Sequence, residues 1–600
     1  METTDKLAAL RAELKVQNID GFIVPRADEY QGEFVAPYAE RLKWITGFTG
    51  SGGVAAILMD KACALTDGRY LIQIAQQVDQ KHFETGDMIS EPIEEWLRAN
   101  ASADAVIGYD PWLHTPYQVE KWQMSGLSFK ALDSNPIDAV WQNQPVRPEG
   151  DIEIFPESIA GESFHQKKKR IANKIAEKGA GACILTLPDS ISWLLNVRGR
   201  DIDYIPSLLS YAVVYADNTK PITLVVSPDR LTQPLIDHFS GGVSCIAPEH
   251  IDRIFDDLER SGETAPVMMD FARSPIWFKD ALEAKGFEIK DAIDPCIAPK
   301  ARKTASETAA LKQAHIVDAA AMCKFLYWLE AEVENGRPVT ELSASKKLQE
   351  FRAQHSAYQG DSFPSIAGFA EHGAIVHYRA TEQSNIPIEK GNLFLLDSGA
   401  QYWGEGFAGT TDITRTIAIG TPDDEMRRRF TQVLKGHIAV ANAKFPVGTK
   451  GVQIDALARA PLWADNVDFA HGTGHGVGCY LAVHEEAASI SPRGREAFEQ
   501  GMLISNEPGY YKEGAFGIRT ENLVLVVGEK GVCDGTGREM MGFETISFAP
   551  IDKDAIEADM LSHEEKEWLN SYHRQVYDIV SPLLDEPHQK WLQDKTAEIK

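Results

Sequence analysis

The chain has 600 residues, too many for one hydrophobic core, and at roughly 100–200 residues per domain it is expected to form three or more domains. It carries 60 basic and 88 acidic residues, a net charge of −28 at pH 7, which argues against a nucleic-acid-binding protein. The one dense basic run, residues 167–170, is interpreted as a solvated face at the start of a helix.

The rest of the composition favours an enzyme of the cytoplasm. No apolar stretch reaches the roughly 18 residues that a membrane span needs, so no membrane association is expected. Residues 1–5 lead directly into an amphipathic helix rather than into the apolar core of a signal peptide. The seven cysteines are scattered without a C-x-x-C pair, which is typical of reduced thiols.

Strand-like and helical segments alternate through the first 300 residues, on both sides of a proline- and glycine-rich linker at 143–150. A strand, an acidic residue and a tryptophan recur at similar spacing in the two halves, which predicts a diverged tandem duplication. We therefore expect two related α/β domains, residues 1–145 and 146–302. The predicted strands are 21–24, 54–58, 182–188, 211–215 and 222–226, and the predicted helices are 70–77 and 92–99.

The second half begins with helices. Thr304-x-x-Glu307 has the pattern of a capping box, and the helix that it starts is expected to end near Asn335. A second helix is predicted from Thr340, and both would cover the sheet of a catalytic domain comprising residues 303–552. A last helix at 562–580 has a docking face of apolar residues at helical spacing: Trp568, Tyr572, Val576 and Ile579. We expect it to be part of a C-terminal helical extension, residues 553–600.

Four carboxylates, accompanied in the sequence by one imidazole, follow or interrupt the apolar, strand-like runs 392–396, 412–419, 501–504 and 523–527, where charge is costly unless it is paired or metal-bound. Any one of them could be an ordinary strand end or turn. Together they form an oxygen-rich ligand set. Such a set is typical of sites for Mn²⁺ and similar divalent ions and unlike the thiolate set of a structural zinc site. Carboxylates can also bridge two ions. The five residues are Asp397, Asp412, His475, Glu507 and Glu521.

The segment around His475 reads His471-Gly-Thr-Gly-His-Gly-Val-Gly478. Its glycines alternate strictly, so it matches neither the dinucleotide motif nor the phosphate loop. Alternating glycines predict an extended and crowded backbone that lets two imidazoles approach a site closely.

These motifs resemble the creatinase/methionine aminopeptidase, or pita-bread, family of metallopeptidases, and within it the three-domain Xaa-Pro aminopeptidases. The resemblance spans nearly the whole chain. One departure is a hairpin tip at 403–409, which is longer than usual in the family and is expected to alter only the rim of the pocket. The segments that carry the resemblance are 47–51, 66–70, 191–199, 374–378, 395–402, 409–416, 471–478, 483–485, 501–522 and 562–573.

The resemblance implies an α/β (α+β) chain in which two creatinase-type N-terminal domains precede a pita-bread catalytic domain. It implies hydrolysis of the N-terminal Xaa-Pro bond by a water that bridges two divalent metal ions. Mn²⁺ is the expected ion, with Co²⁺, Zn²⁺ and Fe²⁺ as alternatives. The substrates would be peptides with proline at the second position, and the enzyme would be a homodimer.

Residue roles follow from the same resemblance. Asp397 would bind one metal, Asp412 and Glu521 would bridge both, and His475 and Glu507 would complete the second, with Glu507 also serving as the base. The resemblance further assigns peptide positioning and proton transfer to three histidines and support of the bridging carboxylates to an arginine. It assigns substrate binding to an arginine of the first domain. These residues are His377, His471, His484, Arg519 and Arg69.

Three alternatives remain open. Arg69 could simply brace its own turn. A prolidase would use the same ligands on dipeptides alone, although the duplicated N-terminal half disfavours it. A non-catalytic pita-bread binding protein is expected to have lost ligands, whereas all five are present here.

Overall fold

A computed structural model describes residues 1–262 and 264–600. One unit comprises Met1–Glu157 and Glu162–Ile297, and the other comprises Ser158–Gly161 and Ala298–Lys600. No helix in these described ranges is long and apolar enough to cross a membrane.

The first unit begins with a helix whose leucines at positions 7, 10 and 14 are buried on one face, as their spacing predicts. The elements up to the linker are α1 (Thr3–Val16), β1 (Gly21–Pro25), α2 (Arg41–Thr46), β2 (Val54–Leu58), β3 (Ala62–Thr66), α3 (Leu71–Gln77), β4 (Glu84–Asp87), α4 (Ile93–Asn100), β5 (Val106–Tyr109), α5 (Pro116–Gln123), β6 (Ser128–Ala131) and α6 (Pro136–Val140).

The rest of the N-terminal half repeats this alternation of strands and helices. Its elements are β7 (Ile152–Ile154), α7 (Glu157–Ala160), α8 (Phe164–Glu177), β8 (Ala182–Leu185), α9 (Pro188–Leu195), β9 (Val197–Gly199), β10 (Tyr211–Tyr215), β11 (Ile222–Val225), α10 (Gln233–Phe239), β12 (Val243–Ile246), α11 (Arg253–Arg260), β13 (Val267–Met269), α12 (Ile276–Ala284) and β14 (Ile289–Asp291).

The two six-stranded sheets of this unit have the same topology. The first has the order β4-β3-β2-β1-β5-β6 and the second β12-β11-β10-β8-β13-β14. Strand directions also correspond: the central strand pairs antiparallel on one side and parallel on the other in both sheets. The predicted tandem duplication is therefore confirmed.

The interpretation of the basic run as a solvated face was wrong for two of its four residues. Lys167 and Lys168 are 1% and 6% exposed. The Lys167 ammonium donates to the Trp193 carbonyl (3.0 Å) and to Asn196 Oδ1 (2.7 Å), at the C-terminal end of α9. A cation is stabilised there by the unpaired carbonyls of the helix end, and the Lys167 ammonium also lies over the Trp193 ring, 4.3 Å from its centroid.

The second unit starts with the predicted helices, and Thr304 and Glu307 form the reciprocal hydrogen bonds of a capping box. Its elements are α13 (Ile297–Ala301), α14 (Ala305–Glu334), α15 (Glu341–Arg352), β15 (Tyr358–Asp361), β16 (Ile366–Phe369), β17 (Asn392–Ser398), β18 (Ala400–Gly404), β19 (Phe407–Thr410), β20 (Ile413–Ile419), α16 (Asp424–Ala441), β21 (Phe445–Pro446), α17 (Gly451–Trp463), β22 (Gly474–Gly476), β23 (Glu485–Ile490), β24 (Leu503–Asn506), β25 (Gly509–Lys512), β26 (Phe516–Arg519), β27 (Asn522–Cys533), β28 (Glu539–Thr545), α18 (His563–Val580) and α19 (Glu586–Lys595).

Two sheets of this unit carry the predicted ligands. One has the order β16-β17-β20, and the other has the order β21-β28-β27-β24-β22-β23. Helices α14 and α16 contribute buried apolar side chains to the cores beside these sheets, and the C-terminal helix α18 adds Leu569, Tyr572 and Val576. Helices from the beginning and from the end of this unit's sequence therefore share a core with the strands that carry the charged residues.

Candidate active site

Two of the predicted ligands lie on neighbouring strands. Asp397 is inside β17, which runs two residues further than the sequence predicts, and it pairs with Thr414 of β20. Asp412 immediately precedes β20. The antiparallel pairing of these two strands therefore brings the two aspartates to the same end of the sheet.

The other two carboxylates extend from a second pair of strands. The ladder between β24 and β27 ends at the pair Asn506 and Asn522, and Glu507 and Glu521 are the next residues along each strand. Strand β22 pairs with β24 and carries His475 between two glycines. A Cβ atom on Gly474 would lie 1.8 Å from a backbone oxygen of β24, so the predicted crowding of this backbone accounts for the glycine.

The ligand atoms of Asp412, His475 and Glu521 lie within 4.8 Å of one another. His475 Nε2 is 3.6 Å from Asp412 Oδ2 and 3.4 Å from Glu507 Oε1. Its Nδ1 is 2.9 Å from the Gly476 carbonyl, which can only accept, so the proton belongs on Nδ1. Nε2 then presents a lone pair to the carboxylates, as in a metal-ligating histidine.

Three carboxylate oxygens at this point are buried and accept no hydrogen bond from the described residues: Asp397 Oδ1, Asp412 Oδ1 and Glu521 Oε1. Burial, with the repulsion of neighbouring carboxylates, raises the pKa values of Asp412 and Glu521 well above the usual range. Burial likewise raises the pKa of Glu507 to about 7. Divalent cations would supply the missing partners and remove the repulsion, so the residues fit a metal centre.

A buried arginine ties these carboxylates together. Arg519 Nη2 donates to Asp397 Oδ2 at 2.7 Å, and its Nε donates to Thr414 Oγ1 at 3.2 Å. The Thr414 hydroxyl in turn donates to Glu521 Oε2 at 2.7 Å. One guanidinium thus orients an aspartate directly and a glutamate through a threonine. The support of the bridging carboxylates predicted for Arg519 stays a prediction, because its direct contact is with Asp397.

The three non-ligand histidines lie in the same unit. The His484 ring packs edge-on against His475, with centroids 4.3 Å apart. His471 Nε2 is 2.7 Å from the Tyr511 hydroxyl. His377 follows Val376, whose carbonyl accepts from Arg519 Nη1 at 3.3 Å. Their catalytic roles stay predictions.

Sequence reasoning missed two side chains of the site. The Tyr511 hydroxyl accepts from Arg519 Nη1 at 2.7 Å and contacts His471, and burial raises its pKa to about 12. The Ser505 hydroxyl accepts from the His475 backbone N–H and donates to Glu507 Oε1 at 3.0 Å. The sequence offered one signal for both, their nearness to Glu507: Ser505 stands two residues before it and Tyr511 four residues after it.

The longer hairpin is formed by β18 and β19 around a turn at Gly406, whose φ of 76° favours glycine. Gln401 Nε2 and Thr410 Oγ1 both donate to the Leu481 carbonyl, at 2.8 and 3.0 Å. Leu481 stands three residues before His484, so the hairpin braces the segment that leads into the site.

Arg69 lies in the first unit. Its Nε and Nη2 donate to the two oxygens of Asp67 at 2.9 and 2.8 Å, which are the contacts of a brace for its own turn. Its assignment as a substrate-binding residue remains a prediction.

Family comparisons agree with this arrangement. Residues 309–528 match metallopeptidase family M24, and residues 539–599 match the C-terminal region of that family. Residues 6–139 and 143–307 each match the creatinase/prolidase N-terminal domain. The repeated match of one domain agrees with the duplicated sheets.

Relatives match over the whole length. A probable Xaa-Pro aminopeptidase P from Laccaria bicolor is 35% identical over 99% of this chain and 93% of its own length. The X-prolyl aminopeptidase of Caenorhabditis elegans, described as a cytosolic enzyme with a di-nuclear active site, is 30% identical with a TM-score of 0.92 over 100% of both chains. That superposition confirms the predicted fold class.

A shorter protein shares part of the fold. The Xaa-Pro dipeptidase of Bacillus anthracis is 24% identical and has a TM-score of 0.53, covering 65% of this chain and 99% of its own. At that identity the likeness concerns the fold alone.

Proposed function

Because the chain belongs to metallopeptidase family M24, among relatives named Xaa-Pro aminopeptidase P, we propose that it removes the first residue from peptides with proline at the second position. The family and the class of enzyme expected from the sequence are thereby confirmed. The finer parts of the proposal concern the metal ions, the proton transfers, the assembly and the location of the protein.

The proposal is supported by three buried carboxylate oxygens that accept no hydrogen bond from any residue the structure describes and that lie beside the lone pair of an imidazole. Two divalent ions would be held by the five ligands named from the sequence, which are Asp397, Asp412, His475, Glu507 and Glu521. When bound, such ions activate a water for attack and stabilise the oxyanion that forms. Mn²⁺ is the proposed ion because the ligand set is rich in oxygen, with Co²⁺, Zn²⁺ and Fe²⁺ as alternatives.

Proton transfer would belong to groups held by hydrogen bonds. Glu507 Oε1 accepts a hydrogen bond from the Ser505 hydroxyl. We propose that Glu507 acts as the base that removes a proton from the attacking water. The nitrogen of the scissile bond has no N–H and leaves as the amine of proline, so it must gain a proton. We assign that donation to His471 or His377, with His484 positioning the peptide beside His475.

The assembly and location extend the proposal. We propose a homodimer of the cytoplasm in which Arg69 contributes to substrate binding, and domain boundaries at 145/146, 302/303 and 552/553. None of the cysteines is seen in a disulfide within the described residues, which supports a reducing compartment. Arg69→Ala should raise KM for a tripeptide, and the mass in solution should be that of two chains.

The decisive assay compares peptide lengths. The purified full chain with Mn²⁺ should release the first residue from an Xaa-Pro-Yaa tripeptide and leave Xaa-Ala-Yaa intact. Cleavage of Xaa-Pro dipeptides alone would instead identify a prolidase. Absence of cleavage with each of the four ions would favour a non-catalytic binding protein.

A further inference from the structure

Two asparagines stand beside two of the proposed ligands. Asn506 precedes Glu507, Asn522 follows Glu521, and the asparagines face each other across the β24–β27 ladder. Both are fully buried. Because the two glutamates extend from this last pair of the ladder, whatever fixes the asparagines also fixes the separation of Glu507 and Glu521.

One imidazole binds both asparagines. His437 of α16 has its Nδ1 3.0 Å from the backbone carbonyl of Asn506, so Nδ1 carries the proton and donates. Asn506 Nδ2 returns a hydrogen bond to the His437 carbonyl at 2.9 Å. The free lone pair on His437 Nε2 accepts from Asn522 Nδ2 at 3.2 Å. This tautomer satisfies every polar atom of a neutral ring, and burial keeps the ring neutral by lowering its pKa to about 3.

The C-terminal helix reaches the same pair. The Tyr572 hydroxyl of α18 lies 3.2 Å from Asn522 Oδ1 and accepts from Arg415 Nη2 at 2.8 Å. Arg415 Nη2 also donates to Asn522 Oδ1 at 2.9 Å, and its Nη1 donates to the Glu521 carbonyl at 2.6 Å. Arg415 therefore holds the backbone of Glu521, a proposed bridging ligand. Arg415 and the Tyr572 hydroxyl both contact the side chain of its neighbour, Asn522.

A stack of rings joins the two helices. Trp568, one turn before Tyr572, lies parallel to it at 5.4 Å between centroids, with an interplanar angle of 4°. Trp568 also contacts the His437 ring edge-on at 5.8 Å. Helix α18 thus covers His437 and Asn522 together.

We propose that His437 and Tyr572 are positioning residues of the metal centre. The C-terminal helix, which carries Tyr572, therefore helps to set the geometry of the proposed ligands. The two positioning residues contact neither glutamate directly: His437 acts through the two asparagines, and Tyr572 acts through Asn522 and Arg415. This inference rests on the two-metal function proposed above. Groups hydrogen-bonded to a metal ligand itself typically change metal affinity by roughly 10- to 100-fold when they are altered, and we expect the lower end of that range for groups one residue removed.

Tyr572→Phe is the sharpest test because it removes the hydroxyl and keeps the ring that stacks on Trp568. Tyr577→Phe makes the same change on the same helix, where the hydroxyl has no hydrogen bond to the described residues. Mn²⁺ is titrated into the metal-free full chain, and Tm is measured with and without the ion. We expect a roughly tenfold or greater rise in the Kd for Mn²⁺ and a smaller rise in Tm on Mn²⁺ binding for Tyr572→Phe, with Tyr577→Phe like the wild type.

The readout separates positioning from packing. A residue that only packs would lower Tm equally in the metal-free and the Mn²⁺-loaded protein and leave Kd unchanged, and that result would overturn the inference. His437→Gln provides a second route with the same expected loss of affinity, should the tyrosine variant fold poorly. A wild-type chain that fails to bind Mn²⁺ would overturn the metal centre itself, whereas normal binding with an unaffected Tyr572→Phe would overturn only the positioning role.

Discussion

Replacing Tyr511 with phenylalanine tests how the site is held together. The Tyr511 hydroxyl accepts a charge-assisted hydrogen bond from Arg519 and, because His471 Nδ1 donates to the Gly472 carbonyl, it donates to the lone pair on His471 Nε2. A hydrogen bond to a charged group contributes about 1.5–3 kcal/mol and a neutral one about 1 kcal/mol. If half of that total of about 2.5–4 kcal/mol is lost from the transition state, kcat/KM falls by roughly 10- to 30-fold.

The assay is tripeptide hydrolysis at saturating Mn²⁺, with metal content measured on the same sample. Tyr510→Phe is the matched control, because Tyr510 is the preceding residue on β25 and its ring contacts Arg429 instead. Because the assay is run at saturating Mn²⁺, metal content should be unchanged in both variants, so that a lower kcat/KM does not reflect lost metal. Equal kcat/KM values for the two variants would refute the bridging role of the Tyr511 hydroxyl.

Three further predictions concern ligands, protons and pH. Glu507→Gln should abolish turnover with the fold intact, and Asp412→Ala should lose metal as well as activity, as metal analysis and circular dichroism would show. His377→Ala should keep two ions per chain and lose roughly 10²–10⁴-fold in kcat, and a loss of metal would instead make it a ligand. Burial lowers the pKa of His114 to about 3, so its unfolded form gains a proton first as the pH falls. The stability that it contributes is present above its ordinary pKa of about 6.5 and is lost as the pH falls towards 3, by up to about 1.4 kcal/mol per pH unit. Urea unfolding of His114→Gln between pH 4.5 and 6.5 should therefore show a shallower dependence on pH than the wild type.

Local signals in the sequence were sufficient for much of the fold. The capping box at Thr304 and Glu307 placed the start of a 30-residue helix correctly, because both partners lie within one turn. The alternation of glycines around His475 predicted a crowded strand, and the neighbouring backbone oxygen explains it. The end of β17 was not predicted: the strand continues past Leu396 and takes Asp397 into the ladder, where the carboxylate is paired with Arg519, a residue 122 positions away.

Contacts between distant residues were beyond the reach of sequence patterns. Tyr572 was interpreted as part of an apolar docking face, and its ring is buried, yet its hydroxyl binds an arginine 157 residues away. Tyr511 and His471 are 40 residues apart. Lys167 was mistaken for a solvated residue because a lysine at a helix start gives no indication that a second helix ends against it. In each case the deciding partner comes from tertiary packing rather than from the local segment.

The proposed function requires that five residues of the second unit hold two divalent ions and that turnover depends on both. The most direct measurement is a titration of Mn²⁺ into the metal-free full chain while the release of the first residue from an Xaa-Pro-Yaa tripeptide is followed. The arrangement of Asp397, Asp412, His475, Glu507 and Glu521 predicts no turnover without metal and a plateau at two Mn²⁺ per chain. Undiminished turnover in chelator-treated protein, or full activity with a single ion bound, would contradict it.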